Sequence, residues 1–158
     1  MSKAEKTNVG RLLEAKKIPY EMFNYEKTGC TNGVEIAKIM GKNPETVFKT
    51  LVTAAKSGGH YVFVIPVEAE LDLKKAAVAV KEKSISMIPQ KELLPLTGYV
   101  HGGCSPIGMK KFFPTTFHIT AQDFESIYFS GGKIGFQVNV KVNDLPKIID
   151  INFADIIV

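Results

Sequence analysis

Between His101 and Gly108 the chain reads His101-Gly102-Gly103-Cys104-Ser105-Pro106-Ile107-Gly108, which gathers three glycines, a proline, a hydroxyl and a thiol. Glycine reaches positive φ and leaves no Cβ in the way, so the backbone N–H groups of Gly102 and Gly103 can converge on an anion or on a carbonyl oxygen under attack. Such a loop supports acyl-transfer chemistry through its backbone alone. The same residues also make a plain turn between strands. A second group of interest is Lys49, the one charge in the apolar and β-branched run Val47-Phe48-Lys49-Thr50-Leu51-Val52. Strand alternation sends Phe48 and Thr50 to one face and Lys49 and Leu51 to the other. An ammonium among apolar neighbours either snorkels to water at a strand end or enters a cleft to meet a phosphate or carboxylate.

Cys104 invites a reading as an enzyme nucleophile. That role needs a base and a group to orient it, and although His101 is near in sequence, no spacing assigns such a pair. Lys110 and Lys111 follow the loop directly. A nucleic acid whose end enters the loop must carry its phosphates past them, so they read as a rim for its backbone. Ser130-Gly131-Gly132-Lys133 is a second small-residue turn, with a hydroxyl and amides that could orient a ligand or merely close the turn. No Cys-x-x-Cys pair occurs, and His60, His101 and His118 do not stand at metal-ligand spacing, so no metal is expected.

These groups must be positioned by a set of short elements. Val9, Leu12 and Leu13 predict an amphipathic helix over Lys3 to Lys17, ending before Pro19. A strand follows from Tyr20 to Tyr25, then a short helix from Val34 to Met40 closed by Gly41, and a cap at Asn43-Pro44-Glu45. Phe48 to Ala55 and Tyr61 to Val67 flank Lys56-Ser57-Gly58-Gly59 and predict an antiparallel hairpin. Leu71 to Val80 reads as a helix, and Pro89 to Leu96 as a second one interrupted by Pro95. Tyr99-Val100, Thr115 to Thr120, Phe124 to Phe129 and Ile134 to Val140 read as strands, with a last helix around Val142 to Ile149. Clustered strands without a βαβ rhythm predict an α+β fold: a curved, mostly antiparallel, barrel-like sheet with helices packed outside.

With 158 residues, 45% hydrophobic and 23% charged, the chain suits one domain spanning residues 1–158 with its own core. Its longest apolar runs, such as Tyr61 to Val67, fall far short of the roughly 20 residues that span a bilayer, and no basic-then-apolar segment opens it. A cytoplasmic location without a membrane partner is therefore expected. Cys30 and Cys104 are the only cysteines, and both are expected as reduced thiols. Twenty basic against 16 acidic side chains leave a net charge of +4, which suits a polyanionic partner without requiring one.

Together these segments resemble the YbaK family of aminoacyl-tRNA editing proteins, related to the editing domain inserted in bacterial-type prolyl-tRNA synthetases. The resemblance runs from the N-terminal helix through Tyr20, Phe48 to Val52, Gly102 to Gly108 and Lys110-Lys111, to Ser130 through Lys133. Gly102-x-x-x-Pro106 matches the family's GxxxP loop, and Gly-Gly-Cys-Ser-Pro-Ile-Gly is specific to the YbaK branch.

The resemblance implies removal of a mischarged amino acid from the acceptor end of tRNA, most specifically cysteine from proline tRNA or also from cysteine tRNA. No cofactor is expected. Lys49 matches the family's essential lysine and would hold the terminal nucleotide by its phosphate or sugar. The amides of Gly102 and Gly103 would cradle the ester carbonyl, with Cys104, Ser105 and Pro106 lining the pocket. Tyr20 matches a pocket tyrosine, though an aromatic packed on the N-terminal helix reads equally well, and Ser130 and Gly131 match the family's small-residue turn.

One departure stands out. Where the family commonly shows Gly-Leu-Asp, this chain reads Gly135-Phe136-Gln137, so a carboxylate able to pair a substrate α-ammonium becomes an amide that can only hydrogen-bond it. The family mechanism implies that the cysteinyl thiol attacks its own ester and leaves as a thiolactone, so the protein supplies no base. A thiol with a reference pKa of about 8.5 offers some thiolate near neutrality, whereas a hydroxyl offers almost none. The resemblance also implies selectivity borrowed by association with prolyl-tRNA synthetase. The competing reading is a non-catalytic module that captures aminoacyl-tRNA or a nucleotide-ended ligand.

Overall fold

The computed structural model describes residues 7–29 and 32–158. Cys30, and Lys3 to Lys6 of the expected first helix, lie outside the described residues. Thr7 caps α1 (Asn8–Ala15) by accepting the Gly10 N–H at 3.1 Å, and the helix buries Val9 and Leu13, the pair one turn apart that the sequence set on its apolar face. After β1 (Tyr20–Asn24) comes α2 (Gly33–Met40), capped by Asn32 and closed by Gly41 in the left-handed region. β2 (Phe48–Ala55) and β3 (His60–Pro66) form the expected antiparallel hairpin, with Phe48 opposite Pro66 and Ala54 opposite His60. Then follow α3 (Leu73–Ala79), β4 (Ile85–Met87), α4 (Leu93–Thr97), β5 (Thr115–His118), β6 (Ser126–Ser130), β7 (Phe136–Lys141) and β8 (Ile151–Ala154).

Several elements differ from the sequence expectation. Tyr99-Val100 is not a strand: the Tyr99 N–H, which a ladder would need, is taken by Thr97 Oγ1 at 3.0 Å. Pro95 does not interrupt α4, because it falls in the first turn, where an N–H would have no intrahelical partner. The last helix is a 3-10 segment, Val142–Lys147, and Pro146 inside it has no N–H to extend an α-helical ladder. The short strands β4 and β8 were not anticipated.

The strands pair as a three-stranded sheet in the order β1-β7-β6 and a five-stranded one in the order β4-β2-β3-β5-β8. Most pairs are antiparallel, but β3–β5 and β5–β8 are parallel. Among the described residues these pairings close no barrel; the two sheets are stitched by a single bridge, Val47 to Tyr128. β3 is covered on both faces. Val62 and Val64 join Phe48, Phe117, Ile127, Phe129, Val138 and α1 in the core between the sheets, while Phe63 and Ile65 pack with Ala76 and Ala77 of α3. That double burial explains why β3 is a continuous apolar run. Lys49 stands on β2, the hairpin partner of this doubly covered strand. Among the described residues, no helix is long and apolar enough to cross a membrane.

Candidate active site

A cavity of about 460 Å³ opens where β2, the start of α2, the 101–104 loop and the β6–β7 pair meet. Lys49, Gly102, Cys104, Ser130 and Gln137 line it, whereas Gly103, Ser105, Pro106, Gly131, Tyr20, Lys110 and Lys111 do not. Thr50 and Asn32 also line it, and sequence reasoning had given neither a role.

Lys49 is half-buried on β2, opposite Ile65 in the β3 register. Loss of water pushes its ammonium pKa down, and the nearby Glu70 carboxylate acts in the opposite direction. Desolvation therefore outweighs pairing, and the group is primed to gain from an anion that enters the cavity.

The loop is built around two glycines with different requirements. Gly102 sits at φ +90°, a conformation that residues with a Cβ rarely adopt. Gly103 has ordinary φ, but a Cβ there would stand 3.0 Å from the backbone nitrogen of Ile134. Its own N–H donates to the Val100 carbonyl at 3.0 Å, so the amide is spent on the turn. The N–H groups of Gly102 and Cys104 have no acceptor among the described residues, and both residues line the cavity.

Ser105 and Pro106 belong to the loop's interior. Ser105 is fully buried and its Oγ accepts the Ile107 N–H at 3.2 Å. Pro106 faces a second cavity of about 310 Å³ together with Lys111. Two residues that sequence reasoning passed over hold the loop from behind. The Tyr99 hydroxyl donates to the Ile107 carbonyl, and Thr97 Oγ1 both donates to the Leu93 carbonyl at 2.7 Å and accepts the Tyr99 N–H. Their sequence signal was the Thr97-Gly98-Tyr99 triplet just ahead of the loop.

Cys104 is buried, and burial pushes its thiol pKa up to about 12, with Thr97 acting in the opposite direction. A thiol held neutral in this way is a poor nucleophile. The Ser130 Oγ accepts the Gly132 N–H at 3.1 Å, which closes the turn. Gly131 is a packing glycine, since a Cβ there would stand 2.7 Å from the Met22 sulfur. Gln137 is only 7% exposed, and its Oε1 finds no partner. Thr50 Oγ1 is likewise buried without a partner.

Tyr20, Lys110 and Lys111 also lie off the cavity. Tyr20 is not among the residues lining the cavity: its hydroxyl donates to the Glu14 carboxylate, and a Cβ added at Gly10 of α1 would stand 3.0 Å from that oxygen. Burial, reinforced by Glu14, pushes its pKa up to about 12. The Lys110 stem passes over Gly98, and Lys111 lines the second cavity beside the exposed Phe112; neither lines the first cavity.

Comparison with known proteins agrees with this picture. Residues 29–148 match the family model described as the aminoacyl-tRNA editing domain. The chain is 40% identical over 153 residues to a protein of Enterococcus faecalis, EbsC, named as a candidate Cys-tRNA(Pro)/Cys-tRNA(Cys) deacylase; the match covers 96% of this chain and 93% of that one. Among solved structures, one described as a candidate trans-editing enzyme for prolyl tRNA synthetase superposes with a TM-score of 0.82 at 20% identity, covering 98% of this chain and 99% of that one. A hypothetical protein superposes with a TM-score of 0.86 at 19% identity, covering 96% and 100%. At these identities the structural matches speak for the fold alone.

Proposed function

Because this chain belongs to the aminoacyl-tRNA editing domain family, we propose that it is a trans-editing deacylase that removes mischarged cysteine from Cys-tRNA(Pro), and also from Cys-tRNA(Cys). The observation that carries this reading is the meeting of Lys49, Gly102 and Gln137 on one cavity. An aminoacyl ester at the end of a tRNA needs a cation for its terminal phosphate, donors for its carbonyl and a small pocket for its side chain. Lys49 supplies the cation. The amides of Gly102 and Cys104, without acceptors of their own, supply donors to the oxygen that gains charge. The glycines keep the backbone close enough to reach it.

The nucleophile comes from the substrate. The cysteinyl sulfur attacks its own ester carbonyl, forming a carbon–sulfur bond as the bond from that carbon to the ribose oxygen breaks. The thiol proton ends on the departing ribose hydroxyl, so the products are a thiolactone and uncharged tRNA, with no water consumed. This route fits a site whose own thiol, Cys104, is held neutral by burial. Selectivity then follows from chemistry as well as size, because an alanyl group has no nucleophile and a seryl hydroxyl is almost never ionised near neutrality.

Lys110 and Lys111, both exposed, belong to the same proposal as contacts for the acceptor stem, and Tyr20 as a residue that orients α1 beside the site. Association with prolyl-tRNA synthetase would add tRNA selectivity that a domain this small lacks, and the reading locates the protein in the cytoplasm with its charged tRNA. The test is release of labelled amino acid from Cys-tRNA(Pro), Ala-tRNA(Pro) and Ser-tRNA(Thr) by the purified protein and by Lys49→Ala. Release confined to cysteine and lost in the variant is the expected result. Equal release of all three overturns substrate-thiol attack, and retained binding with no release assigns a capture module instead.

A further inference from the structure

Gln137 Oε1 and Thr50 Oγ1 are two buried oxygens without partners, and both residues line the same cavity. With Gln137 only 7% exposed, a partner for it must come from inside that cavity. Buried polar atoms are almost always hydrogen-bonded, so two orphans on one cavity, Thr50 from β2 of the five-stranded sheet and Gln137 from β7 of the three-stranded one, mark where a ligand completes the set.

The charges around them narrow what that ligand is. β2 brings Lys49, the loop brings His101 and the buried thiol of Cys104, and β6 contributes Ser130. The start of α2 brings Asn32, Gly33 and Val34, and the segment from β4 to α4 brings Met87, Ile88, Gln90 and Leu93. Among the described residues, no aspartate or glutamate lines the cavity. Glu70, the carboxylate that acts on Lys49, is exposed and outside the lining. An α-ammonium drawn in here would lose its water beside a lysine, with no counter-charge to replace it. A neutral nitrogen suits the wall better. Its N–H can meet Gln137 Oε1, and it asks for no carboxylate.

We propose that this site binds the aminoacyl ester with its α-nitrogen uncharged, hydrogen-bonded by Gln137 and Thr50, and that it therefore also accepts N-acylated aminoacyl esters. This rests on the reading that the cavity receives the aminoacyl end of tRNA. A free α-amine has a reference pKa of about 7.7–8.0, so a useful share of it is neutral at physiological pH.

The test uses two ligands that cannot be cleaved: cysteinyl-adenosine 5′-phosphate joined by a 3′ amide, and its N-acetyl counterpart. Each is titrated into the full-length protein between pH 6 and pH 9. The ratio of the two affinities cancels any titration of Lys49, His101 or the phosphate. Expected is a free-amine ligand that tightens at least fivefold relative to the acetyl ligand as pH rises, with its midpoint at the ligand's own amine, and an acetyl ligand within about tenfold of the free amine at pH 9. Gln137→Asp should reverse the trend and favour the free amine at pH 6, while Gln137→Leu, the fallback if the aspartate variant fails to fold, should weaken both ligands alike. A wild-type ratio that is flat or favours the ammonium form at pH 6, or rejection of the acetyl ligand by 100-fold or more, overturns the proposal. Release of cysteine from Cys-tRNA(Pro) accompanied by such a ratio sinks this inference alone, whereas neither release nor binding sinks the underlying function with it.

Discussion

Ser130 and Gln137 stand opposite each other across the β6–β7 pair, and both line the same cavity. Their polar atoms are differently committed: the Ser130 Oγ accepts the Gly132 N–H, whereas Gln137 Oε1 accepts nothing. Ser130→Ala should therefore cost about 0.5–1.5 kcal/mol of stability, the worth of one hydrogen bond. Gln137→Leu removes an unsatisfied buried atom and should leave stability unchanged or higher, while deacylation falls roughly tenfold or more through the lost ligand contact. Urea unfolding beside single-turnover deacylation separates the two effects, and equal losses of stability would contradict the division.

Lys49 makes no ion pair within 4 Å among the described residues, so its ammonium is free for a ligand phosphate. Losing a charge-assisted hydrogen bond of about 1.5–3 kcal/mol predicts a fall in kcat/KM of roughly 10- to 100-fold for Lys49→Ala. Stability should move the other way at alkaline pH. Burial lowers this lysine's pKa in the folded state, so the unfolded chain binds more protons as pH approaches 10.5, and stability rises with pH through that window. Lys49→Met should flatten the rise in urea unfolding, and an unchanged slope would show that the ammonium is as well solvated folded as unfolded.

Gly103 and Gly102 should respond differently to alanine. At Gly103 the new Cβ would press on the Ile134 backbone at 3.0 Å, and strain of this kind typically costs about 1–3 kcal/mol. At Gly102 the space is open, with the nearest atom, Ile134 Cγ1, at 3.6 Å, but φ is +90°; the cost there is conformational, roughly 1–2 kcal/mol. Gly102→Asn, a residue that tolerates positive φ better, should recover part of that loss, whereas Gly103→Asn should recover nothing. Thermal unfolding of the four variants decides the matter.

Cys104→Ala should keep most of the deacylation rate. Burial pushes this thiol's pKa up to about 12, so at pH 7 the thiolate is negligible and alkylation by iodoacetamide should be slow in the native protein and fast in urea. Complete loss of turnover by a folded Cys104→Ala would restore the thiol as the attacking group.

Part of the cavity lining was legible in the sequence, as was the hairpin that carries Lys49. Lys49 and the Gly102–Gly108 loop declared themselves because a charge in an apolar strand and a dense run of glycines break local patterns for a reason. Gln137 showed itself only as a departure from a family pattern. Its isolation became visible once β6, β7 and β2 were in place, since whether a buried oxygen has a partner depends on residues far apart in the chain. Thr97 and Tyr99 were misread as part of a strand or ignored, because side-chain capping of the Tyr99 N–H competes with a ladder in a way that periodicity does not register. The parallel pairing of β5 and β8 was also out of reach. A four-residue strand such as Ile151–Ala154 carries too little pattern, and its place is set by the sheet edge that it covers.

That last strand leads into a titrating contact that should govern acid stability. His118, at the end of β5, is buried, and its Nδ1 accepts the Ile156 N–H at 3.3 Å, which requires that nitrogen to be unprotonated. Burial lowers its pKa below 6.5, although Asp155, 3.9 Å away and itself held by Lys75, acts in the opposite direction. Below pH 6.5 the unfolded chain therefore takes up a proton that the folded protein resists, so stability falls as pH drops from 6.5 towards the folded value and is regained as pH rises. His118→Phe, which cannot titrate, should lose the Ile156 contact and be less stable at pH 7.5, yet show a weaker decline between pH 6.5 and pH 5. Urea midpoints of both proteins across that range provide the measurement. Parallel curves would mean that His118 gains as much from Asp155 as it loses to burial, and that the C-terminal strand is not held by a neutral imidazole.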